Sequence, residues 1–273
     1  MDLRCIPDAM ESAVVASIDA RLDAVIEAHG VSIPLAIESG SRAWGFPSPD
    51  SDYDCRFVFV RPPAQHLSLW PLRDVIEEPP DGVFDVNGWD LAKALRLLVR
   101  GNAVIIEWLQ SPIIYRGDAW FRDAFLDLAR SVASREAIAR HYLHLGERQR
   151  RVHFGDGRTV AQKKIFYALR PAATLRWMRL NSAAPFAPMH FPTLMAECEP
   201  PVALRAEIED LMERKAITHE LGVSLLSPAI AGFIDAEFEM ARRTSSSAGM
   251  PAADDGRRLA KDFYSSMVRR FDI

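Results

Sequence analysis

The chain has 273 residues, 49% of them hydrophobic, which is enough apolar material for one large domain or two modest ones. Its formal net charge of −4 excludes the strongly basic surface of a general nucleic-acid-binding protein, so any contact with a polynucleotide must use a local patch. No apolar run approaches the roughly 20 residues that cross a bilayer. Residues 1–7 lack the features of a secretion signal, and three scattered cysteines, Cys5, Cys55 and Cys198, do not form a disulfide pattern. We therefore expect a cytoplasmic protein without a membrane partner.

The first part of the chain alternates predicted helices and strands. Apolar residues at helical spacing predict an amphipathic helix over residues 8–29, and Gly30 is placed to end it. Two apolar runs rich in β-branched residues follow, at 33–38 and 55–60, and each predicts a strand. A glycine–serine turn and a connector separate them, and the two prolines in the connector, residues 45–51, exclude regular structure.

The joints between these two strands carry the residues suited to chemistry. Asp52 and Asp54 are two positions apart, so in a strand their side chains point to the same side. A cation stabilises two carboxylates on one face, and Mg²⁺ prefers such oxygen ligands. Gly40 and Ser41 follow the first strand, where glycine allows backbone N–H groups to form an anion-binding nest. The alternative is a pair of solvated turn residues, a reading that we keep for Asp50.

A third acid follows in a short apolar run at residues 83–86. If this run is a strand, the side chain of Asp85 points away from its apolar neighbours and can face Asp52 and Asp54. Asp90 is the rival, but it precedes an apolar helical run, and a helix start needs a side-chain oxygen for its unpaired N–H groups. We therefore interpret Asp90 as an N-cap.

The remainder of the chain is predicted to be mainly helical. Helices are expected at 91–98 and around 105–109, the second capped by Asn102, and a short strand is expected at 113–115. From about residue 118 the predicted helices are 118–130, 134–152, 159–180, 201–217, 228–243 and 256–271. Pro171 should kink or end the third of these, and residues 244–249 have the composition of a flexible linker.

These motifs resemble a known superfamily. Gly40-Ser41 after an apolar run, followed by Asp52-Tyr53-Asp54, is similar to the Gly-Ser and Asp-x-Asp signature of the DNA polymerase beta superfamily of nucleotidyltransferases. The fuller string from Glu38 to Phe46 resembles, more narrowly, the RNA-ligase-associated, polymerase-beta-like family of predicted bacterial nucleotidyltransferases. Later stretches agree with that family: Gly88-Trp89-Asp90-Leu91, Glu107-Trp108-Leu109-Gln110-Ser111-Pro112 and Tyr167-Ala168-Leu169-Arg170.

The resemblance implies an α+β fold with a small mixed-sheet nucleotidyltransferase domain over residues 1–117 and a C-terminal α-helical, substrate-binding domain over residues 118–273. It implies transfer of a nucleoside monophosphate from an NTP, such as ATP, to a hydroxyl acceptor with release of pyrophosphate. Asp85 would complete a metal site with Asp52 and Asp54 for two Mg²⁺ ions, with Mn²⁺ as the alternative. The association of the family with RNA ligases suggests an RNA 3′ end as acceptor.

Basic residues are the remaining candidates for nucleotide contacts. Arg42 directly follows the Gly40-Ser41 turn, and Lys163, Tyr167 and Arg170 share one helical face with Lys164 beside it. Cationic side chains suit triphosphate oxygens, although such a stripe is more often a solvated helix face. The resemblance favours Lys164 and Arg170, together with Gly40, Ser41 and Arg42, as nucleotide-binding residues.

Other residues receive ordinary structural interpretations. Trp44 is read as a packing residue, and His141, His144 and Glu147 as surface or packing residues, because no further metal ligands are evident near them. The arginines within 148–151 are read as a solvated face rather than an RNA-binding patch. Two other functions stay open, namely a non-catalytic or regulatory nucleotide-binding module, such as a toxin–antitoxin component, and a protein-AMPylating enzyme.

Overall fold

The computed structural model describes residues 2–66, 68–70, 72–79, 81–154, 159–219, 222–245 and 253–271. The chain divides into two compact units. The first comprises Met1–Ala43, Asp52–Ala133 and Ala252–Ile273, and the second comprises Trp44–Ser51 and Ser134–Pro251. This division differs from the split predicted at residue 117, because the helix that follows residue 118 and the last helix both belong to the first unit. A substrate-binding role for residues 118–273 stays a prediction.

The described strands form one large sheet and one small sheet. Their bounds are β1 Ser32–Glu38, β2 Tyr53–Val60, β3 Val75–Glu77, β4 Phe84–Asp90, β5 Ile114–Gly117, β6 Thr159–Ala161 and β7 Val223–Leu225. The first five strands form a sheet in the order β3-β4-β2-β1-β5, and β6 pairs with β7. Strand β4 runs parallel to β2 and the other neighbours are antiparallel, so the sheet is mixed.

Helices surround the sheet and make up most of the second unit. Those of the first unit are α1 Ser12–His29, α2 Gly40–Ala43, α3 Pro63–His66, α4 Leu91–Val99, α5 Ala103–Gln110, α6 Ala119–Val132 and α12 Ala253–Arg270. Those of the second unit are α7 Arg135–His153, α8 Gln162–Leu180, α9 Phe191–Glu197, α10 Val202–Ile217 and α11 Pro228–Ser245. The mixed sheet with a helical C-terminal region confirms the predicted α+β fold class.

The helix ends of the first unit follow the predicted local chemistry. Gly30 adopts a left-handed conformation and its N–H donates to the carbonyl of Ile26, which ends α1. The Asp90 side chain accepts the N–H of Ala92 at 2.8 Å, so the N-cap interpretation is confirmed. Asn102 caps α5 in the same way. The apolar face of α1 then packs on the sheet, in a cluster that includes Ile18, Leu22, Val25, Phe57, Phe59 and Val86.

The second unit departs from the prediction in several places. Helix α8 continues through Pro171, so of the two predicted outcomes, a kink or an end of the helix, the end does not occur. Pro171 is buried, and a Cβ added at Gly146 on α7 would lie 2.3 Å from the Phe238 ring and 3.0 Å from Cβ of Pro171, so α7 approaches both side chains closely here. Helix α9 and the β6–β7 pair were not predicted. The linker predicted at 244–249 starts inside α11, and residues 246–249 lie outside the described residues.

Predictions from composition concern the cysteines and the membrane. Cys5, Cys55 and Cys198 are free thiols, and the last two are buried. In the described ranges of the chain, every helix is too short or too polar to span a bilayer.

Candidate active site

The glycine turn lies directly against one of the predicted metal ligands. Strand β1 ends at Glu38, and Gly40 follows with φ of +58°, a conformation that residues with a side chain rarely adopt. A Cβ at this position would lie 1.9 Å from Oδ2 of Asp54, so the carboxylate occupies the space that a side chain would need. The N–H of Ser39 donates to the carbonyl of Asp54 at 2.9 Å. Only glycine therefore fits here, at the start of the short helix α2 that also contains Ser41.

Asp54 and Asp85 face one another on adjacent parallel strands. They are partners in the register of β2 and β4. One guanidinium nitrogen of Arg56 lies 2.8 Å from Oδ1 of Asp54 and 2.6 Å from Oδ2 of Asp85. Another nitrogen of Arg56 donates to the carbonyl of Asp85 at 2.7 Å, which orients the guanidinium. The two carboxylates therefore converge on a single cationic group.

Sequence reasoning did not identify Arg56. It stands two residues after Asp54 in β2, so its side chain falls on the same face, and the two-residue period of a strand was the signal that could have found it. The register with β4, which places Asp85 within reach, depends on pairing between distant segments and is not readable from local sequence.

The arrangement bears on whether a metal ion fits. Within the described part of the chain, no group of three or more His, Cys, Asp and Glu side chains is arranged to hold a metal. The donor set nevertheless suits a divalent cation, because two carboxylates supply hard oxygen ligands and already share the guanidinium of Arg56 as a stand-in cation. The Asp85 side chain is 54% exposed and that of Asp54 is 26% exposed, so solvent reaches the pair. The three-acid metal site stays a prediction.

Asp52 and Arg42 lie at the edge of this pair. Asp52 is exposed and precedes β2, and its backbone carbonyl accepts a hydrogen bond from Nε of Arg42 at 3.1 Å. The Arg42 guanidinium lies 3.9 Å from the centre of the Tyr53 ring, a cation–π contact that fixes its direction. Burial raises the pKa of the Asp54 carboxyl, and the charges of Asp85 and Asp52 raise it further, while Arg56 and Arg42 oppose the shift. Asp52 and Asp85 therefore place negative charge near Asp54, and a bound cation would offset it.

A buried carboxyl group, Glu38, supports the site from behind. Its side chain is fully buried, and Oε1 accepts the N–H of Asp54 at 3.0 Å while Oε2 accepts the hydroxyl of Tyr115 at 2.5 Å. Ser111 donates its hydroxyl to the Glu38 carbonyl at 2.6 Å. Burial raises the pKa of Glu38 to about 7, against the opposing effect of the hydrogen bonds from the Tyr115 hydroxyl and the Asp54 N–H. Glu38 therefore ties β1, β2 and β5 together at Asp54, a role that its place in the Glu-Ser-Gly-Ser motif did not reveal.

The basic residues predicted on α8 have separate surroundings in the second unit. Lys163 binds both carboxylate oxygens of Asp50 at 2.8 Å, and this contact lowers the pKa of Asp50 to about 2. Lys164 is half-buried, with Nζ 4.9 Å from the Tyr167 ring centre. Arg170 is only 4% exposed and lies over Trp44 at 4.5 Å. The stripe is therefore not a simple solvated face, and nucleotide binding by Lys164 and Arg170 stays a prediction.

The connector between the glycine turn and Asp52 packs as part of the second unit. Trp44 lies beside Phe46, consistent with its reading as a packing residue, and the Phe46 ring stacks on Phe166 with centroids 4.5 Å apart. Lys215 is buried and donates to the carbonyl of Phe46. The segment that joins the two signature motifs is thus held by aromatic packing and by the lysine contacts.

The other polar positions of α7 have ordinary partners. Glu147 forms a salt bridge with Arg242 at 2.8 Å, and Arg150 pairs with Asp235. His144 and Arg148 are exposed on the helix surface. These contacts suit the surface interpretation given to this stretch.

Comparison with known proteins gives a family and a relative. The family described as "RNA repair pathway DNA polymerase beta family" matches residues 14–264 of the chain. The chain is also 37% identical over 248 residues to "Uncharacterized protein YcgL" of Bacillus subtilis (strain 168), and the match covers 91% of each chain. The family match spans both units and supports a role of the nucleotidyltransferase type.

Proposed function

We propose that this chain, which belongs to the RNA repair pathway DNA polymerase beta family, is a Mg²⁺-dependent nucleotidyltransferase. It would transfer a nucleoside monophosphate from ATP or another NTP to a hydroxyl acceptor and release pyrophosphate. The name of the family supports an RNA 3′ end as that acceptor. The observation that carries the proposal is the Asp54–Asp85 pair. Both carboxylates bind the guanidinium of Arg56, and Asp54 lies directly against Gly40.

The acids would hold the metal ions and receive a proton. Asp52, Asp54 and Asp85 are the residues that would ligate two Mg²⁺ ions, or Mn²⁺ in their place. When bound, these ions supply Lewis acidity at the acceptor hydroxyl and neutralise charge on the phosphates. A carboxylate oxygen of Asp85, the more exposed of the pair, takes the proton of the hydroxyl. The hydroxyl oxygen forms a bond to the α-phosphorus while the bond from that phosphorus to the bridging oxygen breaks, and pyrophosphate leaves with the electron pair.

Other residues would bind the triphosphate. The backbone of Gly40 and Ser41 lies beside Asp54, and Arg42 is held in place by the Tyr53 ring, so these groups can meet phosphate oxygens next to the acids. We keep Lys164 and Arg170 as predicted nucleotide contacts. Lys164→Gln should raise the KM for NTP more than it lowers kcat if it only binds phosphate.

A label-transfer assay tests the proposal. Purified protein with Mg²⁺, an NTP labelled at the α-phosphate and RNA with a free 3′ hydroxyl should give labelled RNA. Asp54→Asn should reduce the rate at least ~100-fold, the scale of losing a group that organises transition-state charge. Asp123→Asn serves as the matched control, because Asp123 is an exposed residue of α6 that belongs to none of the motifs.

The outcomes separate the alternatives. No incorporation from any NTP into RNA, DNA, protein or small acceptors, or full activity of Asp54→Asn, would refute the proposal. Label on co-purified protein would indicate protein AMPylation instead. Mg²⁺-dependent NTP binding by calorimetry, with no turnover in the same samples, would indicate a regulatory nucleotide-binding module.

A further inference from the structure

A cavity in the second unit involves none of the residues assigned above to nucleotide or metal binding. It measures about 310 Å³ and is lined by residues of α7, α8 and α11 only. This volume lies at the lower end of the range for small-molecule sites. The family resemblance and the signature motifs of the first unit leave this cavity without a role.

The floor of the cavity is apolar. Leu175 and Met178 of α8 line it, and both are buried in the unit. Met240 of α11 also lines the cavity and is 43% exposed, so the apolar surface extends toward solvent. Methionine side chains adapt their shape to varied partners, which suits the walls of a binding site. The floor therefore favours a ligand with an apolar or aromatic body.

The walls of the cavity carry more positive than negative charge. Arg179 binds Glu237 at 3.0 Å, but the same buried carboxylate also binds Arg176 at 2.9 Å, so one anion serves two guanidinium groups. Arg135 donates to the backbone carbonyl oxygens of Met178 and Ala184, which carry no formal charge. Glu136 is the second carboxylate of the lining, so three guanidinium groups face two carboxylates and a surplus of one positive charge remains.

Arg140 is the cation best placed to meet a ligand. Across the described ranges of the chain it donates no hydrogen bond and forms no salt bridge, although it lines the cavity. The neighbouring carboxyl of Glu136 has a lowered pKa, owing first to its own backbone N–H and the Ser134 hydroxyl and last to the charges of Arg135 and Arg140. The donors of Arg140 thus remain available for an anion, and a guanidinium binds carboxylate or phosphate oxygens with two parallel hydrogen bonds.

We propose that this cavity binds a small amphiphilic anion, with its apolar body on Leu175, Met178 and Met240 and its carboxylate, sulfonate or phosphate group at Arg140. The proposal goes beyond the transferase function and does not depend on it. A ligand of this class would stabilise the packing of α7, α8 and α11, because it binds only where the three helices are together.

Fluorescent probes test the site directly. Anilinonaphthalene sulfonate combines an aromatic body with one anion, and phenylnaphthylamine is its uncharged counterpart. Arg140→Gln should weaken sulfonate binding about tenfold, the effect of one charge-assisted hydrogen bond, and leave the uncharged probe almost unchanged. Ala241→Phe, which fills the cavity from α11, should weaken both probes. Arg148→Gln is the matched control, because Arg148 is exposed on the same helix and does not line the cavity.

Thermal unfolding of each variant verifies that it is folded before titration. Sulfonate binding that is equal in wild type and Arg140→Gln, or equally weakened by Arg148→Gln, would overturn the assignment of the anion subsite. Binding that survives Ala241→Phe would overturn the cavity as the binding place. None of these outcomes depends on label transfer, so they can be told apart from failure of the proposed function.

Discussion

Replacing Glu38 by glutamine should make the stability of the protein less dependent on pH. Glu38 is fully buried and its pKa is raised from 4.5 to about 7. Between those values the folded protein holds a proton that the unfolded chain has released, so the free energy of unfolding falls as pH rises. The shift corresponds to about 3 kcal/mol of stability, fully present below about pH 4.5 and lost above about pH 7. Glutamine has the same shape and carries no charge at any of these pH values.

Urea denaturation of both proteins across this range measures the effect. The two should be nearly equal in stability below about pH 4.5, and Glu38→Gln should be more stable by up to about 3 kcal/mol above about pH 7. EDTA in every sample removes divalent ions that would bind near Asp54. Glu27→Gln, which removes an exposed carboxylate of α1, controls for the general change in net charge. A difference between Glu38→Gln and wild type that stays constant with pH would refute the reasoning.

A second substitution separates charge from hydrogen bonding at the same position. Glu38→Leu removes the acceptors of the Asp54 N–H and the Tyr115 hydroxyl, and each donor left unsatisfied in a buried place costs about 1–3 kcal/mol. Because two donors lose their acceptors, this variant should be less stable than Glu38→Gln by about 2–6 kcal/mol at every pH. Equal stability of Glu38→Leu and Glu38→Gln above about pH 7 would mean that the hydrogen bonds to Glu38 contribute nothing.

Two further predictions concern the acids and their turn. Gly40→Ala should destabilise the protein by about 1–3 kcal/mol more than Gly82→Ala, because both glycines have φ near +58° but only the first would place a Cβ against the Asp54 carboxylate. Similar melting temperatures for the two variants would contradict this. Arg56→Met should lower the melting temperature in EDTA and enlarge the rise produced by Mg²⁺, since Asp54 and Asp85 lose the cation that they share. An unchanged Mg²⁺ response, measured by scanning calorimetry, would show that the guanidinium does not compete with the metal.

Local chemistry in the sequence predicted much of the fold. Some helix ends were predicted because a single capping residue marks them in the sequence. These caps are Gly30, Asp90 and Asn102. Strands β1 and β2 were found because their apolar runs are long. Strand β3 and the β6–β7 pair have three residues per strand, too few for a periodic pattern to stand out.

Elements that depend on distant packing could not be predicted. Helix α8 continues through Pro171, which is buried where α7 comes close at Gly146, a residue of another helix. The membership of residues 44–51 in the second unit depends on Phe166 and Lys215, which lie far along the chain. The pattern of residues within a short stretch of sequence does not indicate such contacts.

The same limit applies to the candidate site. The motif spacing led to Gly40, Asp54 and Asp85, and the structure brings these three together. Glu38 was part of the motif, but its role depends on Tyr115, which is 77 positions away in sequence. The strand period places Arg56 on the Asp54 face, but its contact with Asp85 became visible only once the register of β2 and β4 was known.

The position of α12 has a consequence for synthesis on the ribosome. This helix is the last described element of the chain, yet it packs in the first unit. The centroid of its Phe263 ring lies 6.2 Å from that of Phe121 and 5.1 Å from that of Phe125. Nascent domains usually fold in order from the N-terminus. Here Phe121 and Phe125 of α6 lack their contact with Phe263 until the second unit and α12 have been translated. A messenger truncated within that unit would therefore leave the sheet-bearing unit with a bare aromatic patch, the kind of surface that chaperones and proteases recognise.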